Sequence, residues 1–169
     1  ESTNRIATMS YIHESLYQST DFSSIGFSEY LQRLTSNLMS SYAQQTAQVE
    51  LDPKLIDLHL SLEQAIPCGL IVNELVSNSM KYAFQGLKHG VLTLRVEQVG
   101  DFVEIEVADD GVGLPEDFNF DTNDSLGVYL IQALTEQIQA ELIVRSSSLE
   151  GAGKIPRGTS FMIKFVPSS

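Results

Sequence analysis

Between residues 63 and 84 the chain is strongly apolar, and Leu70, Ile71, Val72, Leu75, Val76 and Met80 predict a buried helix, yet Glu74, Asn78 and Lys81 interrupt it. At about 100° per residue these three fall within roughly 60° of arc, so they form one polar stripe. Taken singly, such residues are more often just the solvent face of an amphipathic helix. Together they are chemically mixed: a carboxylate can orient or deprotonate a nucleophile, a carboxamide oxygen can ligate a hard cation such as Mg²⁺, and an ammonium can meet a phosphate. A second cluster, Asp109-Asp110-Gly111-Val112-Gly113-Leu114, follows a run of alternating apolar residues. Glycines two apart let backbone approach a ligand, and a neighbouring carboxylate can accept a hydrogen bond from an exocyclic amine. In isolation Asp-Asp-Gly is also ordinary turn chemistry. A third cluster, Ser125-Leu126-Gly127-Val128, opens a helix, where free N–H groups and the helix dipole favour an anion, although Ser125 is equally an N-cap. Gly158-Thr159 opens the last apolar alternation.

The elements that must position these clusters follow from periodicity. Ile6, Met9, Ile12 and Leu16 predict a helix over 4–19, and Leu31, Leu34, Leu38 and Tyr42 a second one capped by Ser28, so residues 1–47 read as a helical hairpin. Short alternating segments at Val49–Asp52 and Leu55–Ser61 predict two strands. The long helix runs from near Glu63 to Phe84, with Pro67 expected in the first turn, where its missing N–H is not needed. Leu92, Leu94 and Val96 match Val103, Ile105 and Val107 across Gly100-Asp101, an antiparallel hairpin. Residues 109–124 read as a loop, Leu126–Gln137 as a helix, and Ala140–Ser146 and Thr159–Val166 as strands. The expected fold is α+β: a two-layer sandwich of helices on a mostly antiparallel sheet, preceded by the hairpin, with domains at 1–47 and 48–169.

At 169 residues and 43% hydrophobic content the chain can bury one good core. Its net charge of -12 argues against nucleic acid and anionic membrane surfaces as partners. A small anion remains compatible, because charges more than about 8 Å away are largely screened at physiological salt. One cysteine, Cys68, excludes a disulfide framework and suits a reducing, cytoplasmic setting. No apolar run approaches the roughly 20 residues of a membrane span, and no membrane contact is expected from this stretch. The opening within a helical pattern, without Met, suggests a piece of a longer protein.

The order of the three clusters resembles the catalytic ATP-binding domain of histidine kinases, the Bergerat (GHKL) fold shared with gyrase-type and mismatch-repair ATPases. Asn73 to Phe84 looks like the family's N box, Asp109 to Leu114 like its first glycine box, and Ser125 to Val128 like its second. In the hairpin, Asn4-Arg5-Ile6, Ile12-His13-Glu14, Leu16-Tyr17-Gln18 and Tyr30-Leu31 resemble the later part of the dimerisation and phosphotransfer region of one subfamily. The resemblance implies ATP and Mg²⁺ as ligands. Asn78 would coordinate Mg²⁺, Lys81 would contact phosphate, and Glu74 would assist the reaction. Tyr82 would line the pocket, Asp109 would bond the adenine amino group, and Thr159 would sit near the base. Gly111, Gly113, Ser125, Leu126 and Gly127 would shape the pocket and its lid, Pro115–Asp124. It further implies a homodimer through the hairpin and a response regulator as partner.

Two departures stand out. Ser125 takes the place of the first glycine in the second glycine box, and no stretch matches the family's phosphoacceptor motif, so the phosphorylated histidine is expected ahead of Glu1 and no autophosphorylation from this stretch alone. His13, His59 and His89 read as packing or surface residues without zinc-ligand spacing. Another ATPase or an anti-sigma-factor-type serine kinase of the same fold, and a docking module without catalysis, are the rival readings.

Overall fold

The structure, a computed structural model, describes Ile6, Ser10 and residues 26–43, 47–147 and 157–168. Ile6 and Ser10 are helical. The rest of the first hairpin arm with His13, and the glycines of the 148–156 loop, lie outside the described residues.

The period-two alternation around Gly100-Asp101 becomes a hairpin of β2 (His89–Val99) and β3 (Phe102–Asp109), turned through Gly100 at φ +62°. Val96 faces Ile105 and Leu94 faces Val107, and all four are at most 1% exposed. Full burial of an aliphatic side chain contributes about 1.5–3 kcal/mol, so this one face anchors the sheet. The opposite face is polar, with the Arg95 guanidinium among Glu97, Glu104 and Glu106. Preceding them, β1 (Gln48–Leu55) pairs parallel with β2. Later come β4 (Glu141–Ser147) and β5 (Gly158–Phe165), giving the order β1-β2-β3-β5-β4 with every other pairing antiparallel.

Among the described residues, three helices cover the apolar face: α1 (Phe27–Tyr42), α2 (Leu62–Asn78) and α3 (Leu126–Gln137). Cys68, Ile71, Val72, Leu75 and Val76 of α2 are at most 1% exposed, which makes it the central helix. Burial pushes the Cys68 thiol far above its usual range, so it stays protonated.

Four local expectations change. The segment Leu55–Ser61 is not a second strand; β1 is one strand, Pro53 is tolerated on a sheet edge, and residues 56–61 form a connection whose Leu58 side chain is buried. Ser28 is not the cap of α1. Gly26 holds that position, and the Ser28 hydroxyl donates to the Ile56 carbonyl while the Phe27 N–H donates to the Leu58 carbonyl, fastening the helix start to the connection. Pro67 lies in the second turn of α2, where its N–H would have met the Glu63 carbonyl, so that helix runs one bond short. The helical segment also widens after Asn78 into a five-residue π turn, Ser79–Ala83, before Gly86 at φ +75° ends it.

The apolar face of α1, including Leu31, Leu34 and Leu38, is buried, and the helix packs on α2, β1 and the π turn. The second arm of the expected hairpin therefore sits in the same layer as α2 and α3. No helix among the described residues is long and apolar enough to cross a membrane.

Gln139, just past α3, holds φ +54°, the only non-glycine positive φ among the described residues. A left-handed residue with a Cβ costs about 1 kcal/mol that glycine avoids. Gln139→Gly should therefore raise stability by about 0.5–1 kcal/mol, read as a higher urea midpoint at unchanged slope.

Candidate nucleotide-binding site

The end of α2 and the end of β3 meet. Ser79, buried directly after Asn78, donates its hydroxyl to Asp109 Oδ2 at 3.2 Å. The other carboxylate oxygen accepts the Gly111 N–H at 3.0 Å and the Thr159 N–H at 3.2 Å. Sheet register brings Asp109 beside Thr159, since Asp109 lies opposite Leu92 on one side and Thr159 on the other. Burial pushes the Asp109 carboxyl above the ordinary carboxylate range; the Gly111, Thr159 and Ser79 donors pull it back, and the Asp110 charge adds to the rise. With one donor on Oδ2, that oxygen has a lone pair left for an exocyclic amine.

The glycines have backbone reasons. A Cβ on Gly111 would stand 2.1 Å from the Ala83 carbonyl oxygen, and the next residue, Val112, donates its N–H to that same oxygen at 2.8 Å. The loop after β3 is thus docked on the π turn. Gly113 adopts φ +80°. Beyond it, Leu114 N–H donates to Ser146 Oγ at 2.7 Å, and Ser146 in turn bonds the Gly158 carbonyl and the Thr159 hydroxyl.

The segment Pro115–Asp124 is irregular, as expected, but it is seated at one point. Phe120 is partly buried against the core, its ring 6.2 Å from Phe161, and its carbonyl accepts from Gln132 Nε2 at 3.3 Å. Ser125 does cap α3: its Oγ accepts the Val128 N–H at 3.3 Å. Leu126 is exposed at the helix start and Gly127 half-buried.

Of the residues singled out from the sequence, Asp109, Gly111 and Thr159 are joined by hydrogen bonds, and Asn78 adjoins them through Ser79. Glu74 is 6% exposed one turn before Asn78, whose side chain is half-buried. Lys81 is half-buried and, with Met80, Phe84 and Lys88, lines a cavity of about 560 Å³. Tyr82 is 60% exposed. Sequence reasoning singled out Gly158 beside Thr159 but missed Ser79 and Ser146 as parts of this arrangement. A serine amid apolar helix positions beside Asn78 was the available signal for Ser79; nothing local marks Ser146.

A half-buried carboxylate at a strand end, glycines that admit backbone, and a polar helix end across a shared loop define an ATP-binding domain. Residues 63–169 match the histidine kinase-, DNA gyrase B-, and HSP90-like ATPases, and the chain belongs to that family. Residues 1–42 match a histidine kinase family in their own right, so this is the ATP-binding catalytic region of a histidine kinase. The chain is 28% identical over 166 residues to the sensor histidine kinase PdtaS of Mycobacterium tuberculosis, covering 97% of this chain and 31% of that protein. It is 30% identical over 116 residues to blue-light-activated histidine kinase 2 of Erythrobacter litoralis, covering 68% of this chain and 33% of that one. The chain thus spans about a third of the length of these relatives. Among solved structures, the Erythrobacter litoralis EL346 blue-light activated histidine kinase superposes with a TM-score of 0.77 at 26% identity, over 97% of this chain and 47% of that chain.

Proposed function

We propose that this chain binds Mg-ATP between the end of α2 and the loop after β3, and holds its γ-phosphoryl for transfer to a histidine lying ahead of residue 1 in a longer sensor kinase. The observation that carries this reading is the Asp109 carboxylate, half-buried, fixed by three donors and set against Ser79, the neighbour of Asn78. Adenine recognition at Asp109 and cation recognition at Asn78 are then linked through Ser79.

The residues present fit a magnesium ion. Asn78 is half-buried, and its side chain makes no hydrogen bond among the described residues, so a hard oxygen donor is available there. No group of three His, Cys, Asp or Glu among the described residues could hold a metal unaided, so Asn78 would share it with phosphate oxygens. Bound in that way, the ion supplies neutralisation of the phosphate charge. Asp109 accepts the adenine amine, with Thr159 and Gly111 fixing the carboxylate. Lys81 meets a phosphate, Glu74 orients the attacking imidazole, and Tyr82 flanks the nucleotide. Gly113 turns the chain into the lid, and Ser125, Leu126 and Gly127 form the lid's far end.

The match of residues 1–42 supports a histidine rather than a serine as acceptor. We assign residues 1–47 to the dimerisation and phosphotransfer side and residues 48–169 to ATP binding. The parent kinase acts as a cytoplasmic homodimer with a response regulator as the final phosphoryl acceptor. Titration of a fluorescent ADP analogue tests the site: binding should weaken without Mg²⁺, and Asn78→Ala should lose about tenfold in affinity with Mg²⁺ but little without it. Failure of the unmodified chain to bind any adenine nucleotide would overturn the proposal.

A further inference from the structure

Three consecutive residues at the entry to β5 each meet a different part of the Asp109-Asp110 dipeptide. Arg157 donates from both Nε and Nη2 to the Asp110 carbonyl, at 3.3 and 3.2 Å. Gly158 makes room for the Asp109 carbonyl, which a Cβ would approach to 1.8 Å. Thr159 donates its N–H to the Asp109 carboxylate. On the far side, Asp110 is held by β2: its Oδ1 accepts the Val91 N–H at 2.7 Å and its own N–H reaches the Val91 carbonyl at 3.3 Å. The dipeptide that presents the base-recognising carboxylate is therefore clamped between two strands, and Arg157, directly before β5, adds a side-chain contact to the clamp.

We infer that Arg157 is a positioning residue of the nucleotide site, acting through the Asp110 peptide and without touching the nucleotide. The inference rests on the reading of Asp109 as the adenine acceptor. A planar guanidinium can aim two N–H groups at one carbonyl, which an ammonium on a flexible stem cannot reproduce. Fixing the Asp110 peptide fixes the turn that aims the Gly111 N–H back at Asp109 Oδ1. Any Arg157 contribution is thus made at the base end of the ligand, independent of phosphate charge.

The test compares ADP and adenosine binding by calorimetry for the unmodified chain, Arg157→Ala and Arg157→Lys, and follows the Gly111 and Thr159 amide protons by NMR. Arg157→Ala should weaken both ligands by the same factor, about tenfold, and move both amide signals upfield as their bonds to Asp109 loosen. Arg157→Lys should recover part of each change. Loss confined to ADP, with unmoved amide signals, would make Arg157 a mere attractor of anions and overturn the inference; so would unchanged affinity for both ligands. If the unmodified chain bound neither ligand, the adenine reading would fail by itself, and unmoved amide signals would still sink the clamp.

Discussion

Asp109→Asn should remove tight adenine nucleotide binding while leaving the fold as stable as before, or more so. Asparagine keeps a carbonyl oxygen for the Gly111 and Thr159 N–H groups and can turn its amide towards the Ser79 hydroxyl, which rotates to accept. At the ligand-facing atom an acceptor becomes a donor, opposite a donating adenine amine. A hydrogen bond to a charged group is worth about 1.5–3 kcal/mol, so affinity should fall roughly ten- to a hundredfold. Asp109→Ala is the poorer test, since it strands two buried N–H groups and mixes unfolding with lost recognition.

The pH dependence has a definite sign. Because folding raises the Asp109 pKa, the neutral carboxyl is the form the fold prefers. Its contribution to stability is complete below the unfolded value of about 3.9 and is lost as pH rises through the folded value. Above that window the unmodified chain carries the cost of a partly desolvated charge and Asp109→Asn does not. Nucleotide binding runs the opposite way: acidification through the raised pKa places a proton on the accepting oxygen, so affinity should drop at a higher pH than an ordinary aspartate would give. Thermal melts and titrations at matched pH read both effects. An Asp109→Asn chain that binds as tightly as the original would remove the adenine assignment.

Gly158→Ala should be among the most damaging single methyl additions. The new Cβ would lie 1.8 Å from the Asp109 carbonyl oxygen, 2.7 Å from its carbon and 2.9 Å from Asp110 Cα, all backbone atoms that cannot rotate aside. Its φ of +121° adds strain for any residue with a Cβ. Together these should cost about 3 kcal/mol or more, a fall in melting temperature of roughly 6–12 °C for a domain of this size, with loss of nucleotide binding as the Thr159 N–H is displaced. Gly100→Ala is the control: its φ is also positive, at +62°, but nothing lies within 4 Å, so only about 1 kcal/mol should be lost. Equal losses for the two variants would contradict the close approach at Gly158.

The β2–β3 hairpin and the core of α2 could be read from the sequence because their signals are local. Leu92, Leu94 and Val96 alternate, and Ile71, Val72, Leu75 and Val76 cluster at helical spacing. Leu55–Ser61 misled because an extended connection that buries Leu58 alternates like a strand without pairing as one. Asp109 and Thr159 were visible as unusual residues at strand ends, but not the bond between them, which spans 50 positions. Ser79, Ser146 and Arg157 act on partners 30 to 47 residues away, and no periodicity encodes such pairings. The Asp, Asn and Pro content of Pro115–Asp124 announced a loop and concealed that Phe120 is seated in it.

Cys68, sealed in the centre of α2, makes the chain a natural blank for thiol-directed dyes and spin labels. A cysteine introduced at exposed Asn119 or Asp121, flanking Phe120, would be the sole reactive handle under native conditions. Distance measurements from that point could then follow the Pro115–Asp124 segment through a nucleotide titration without first stripping a residue from the core.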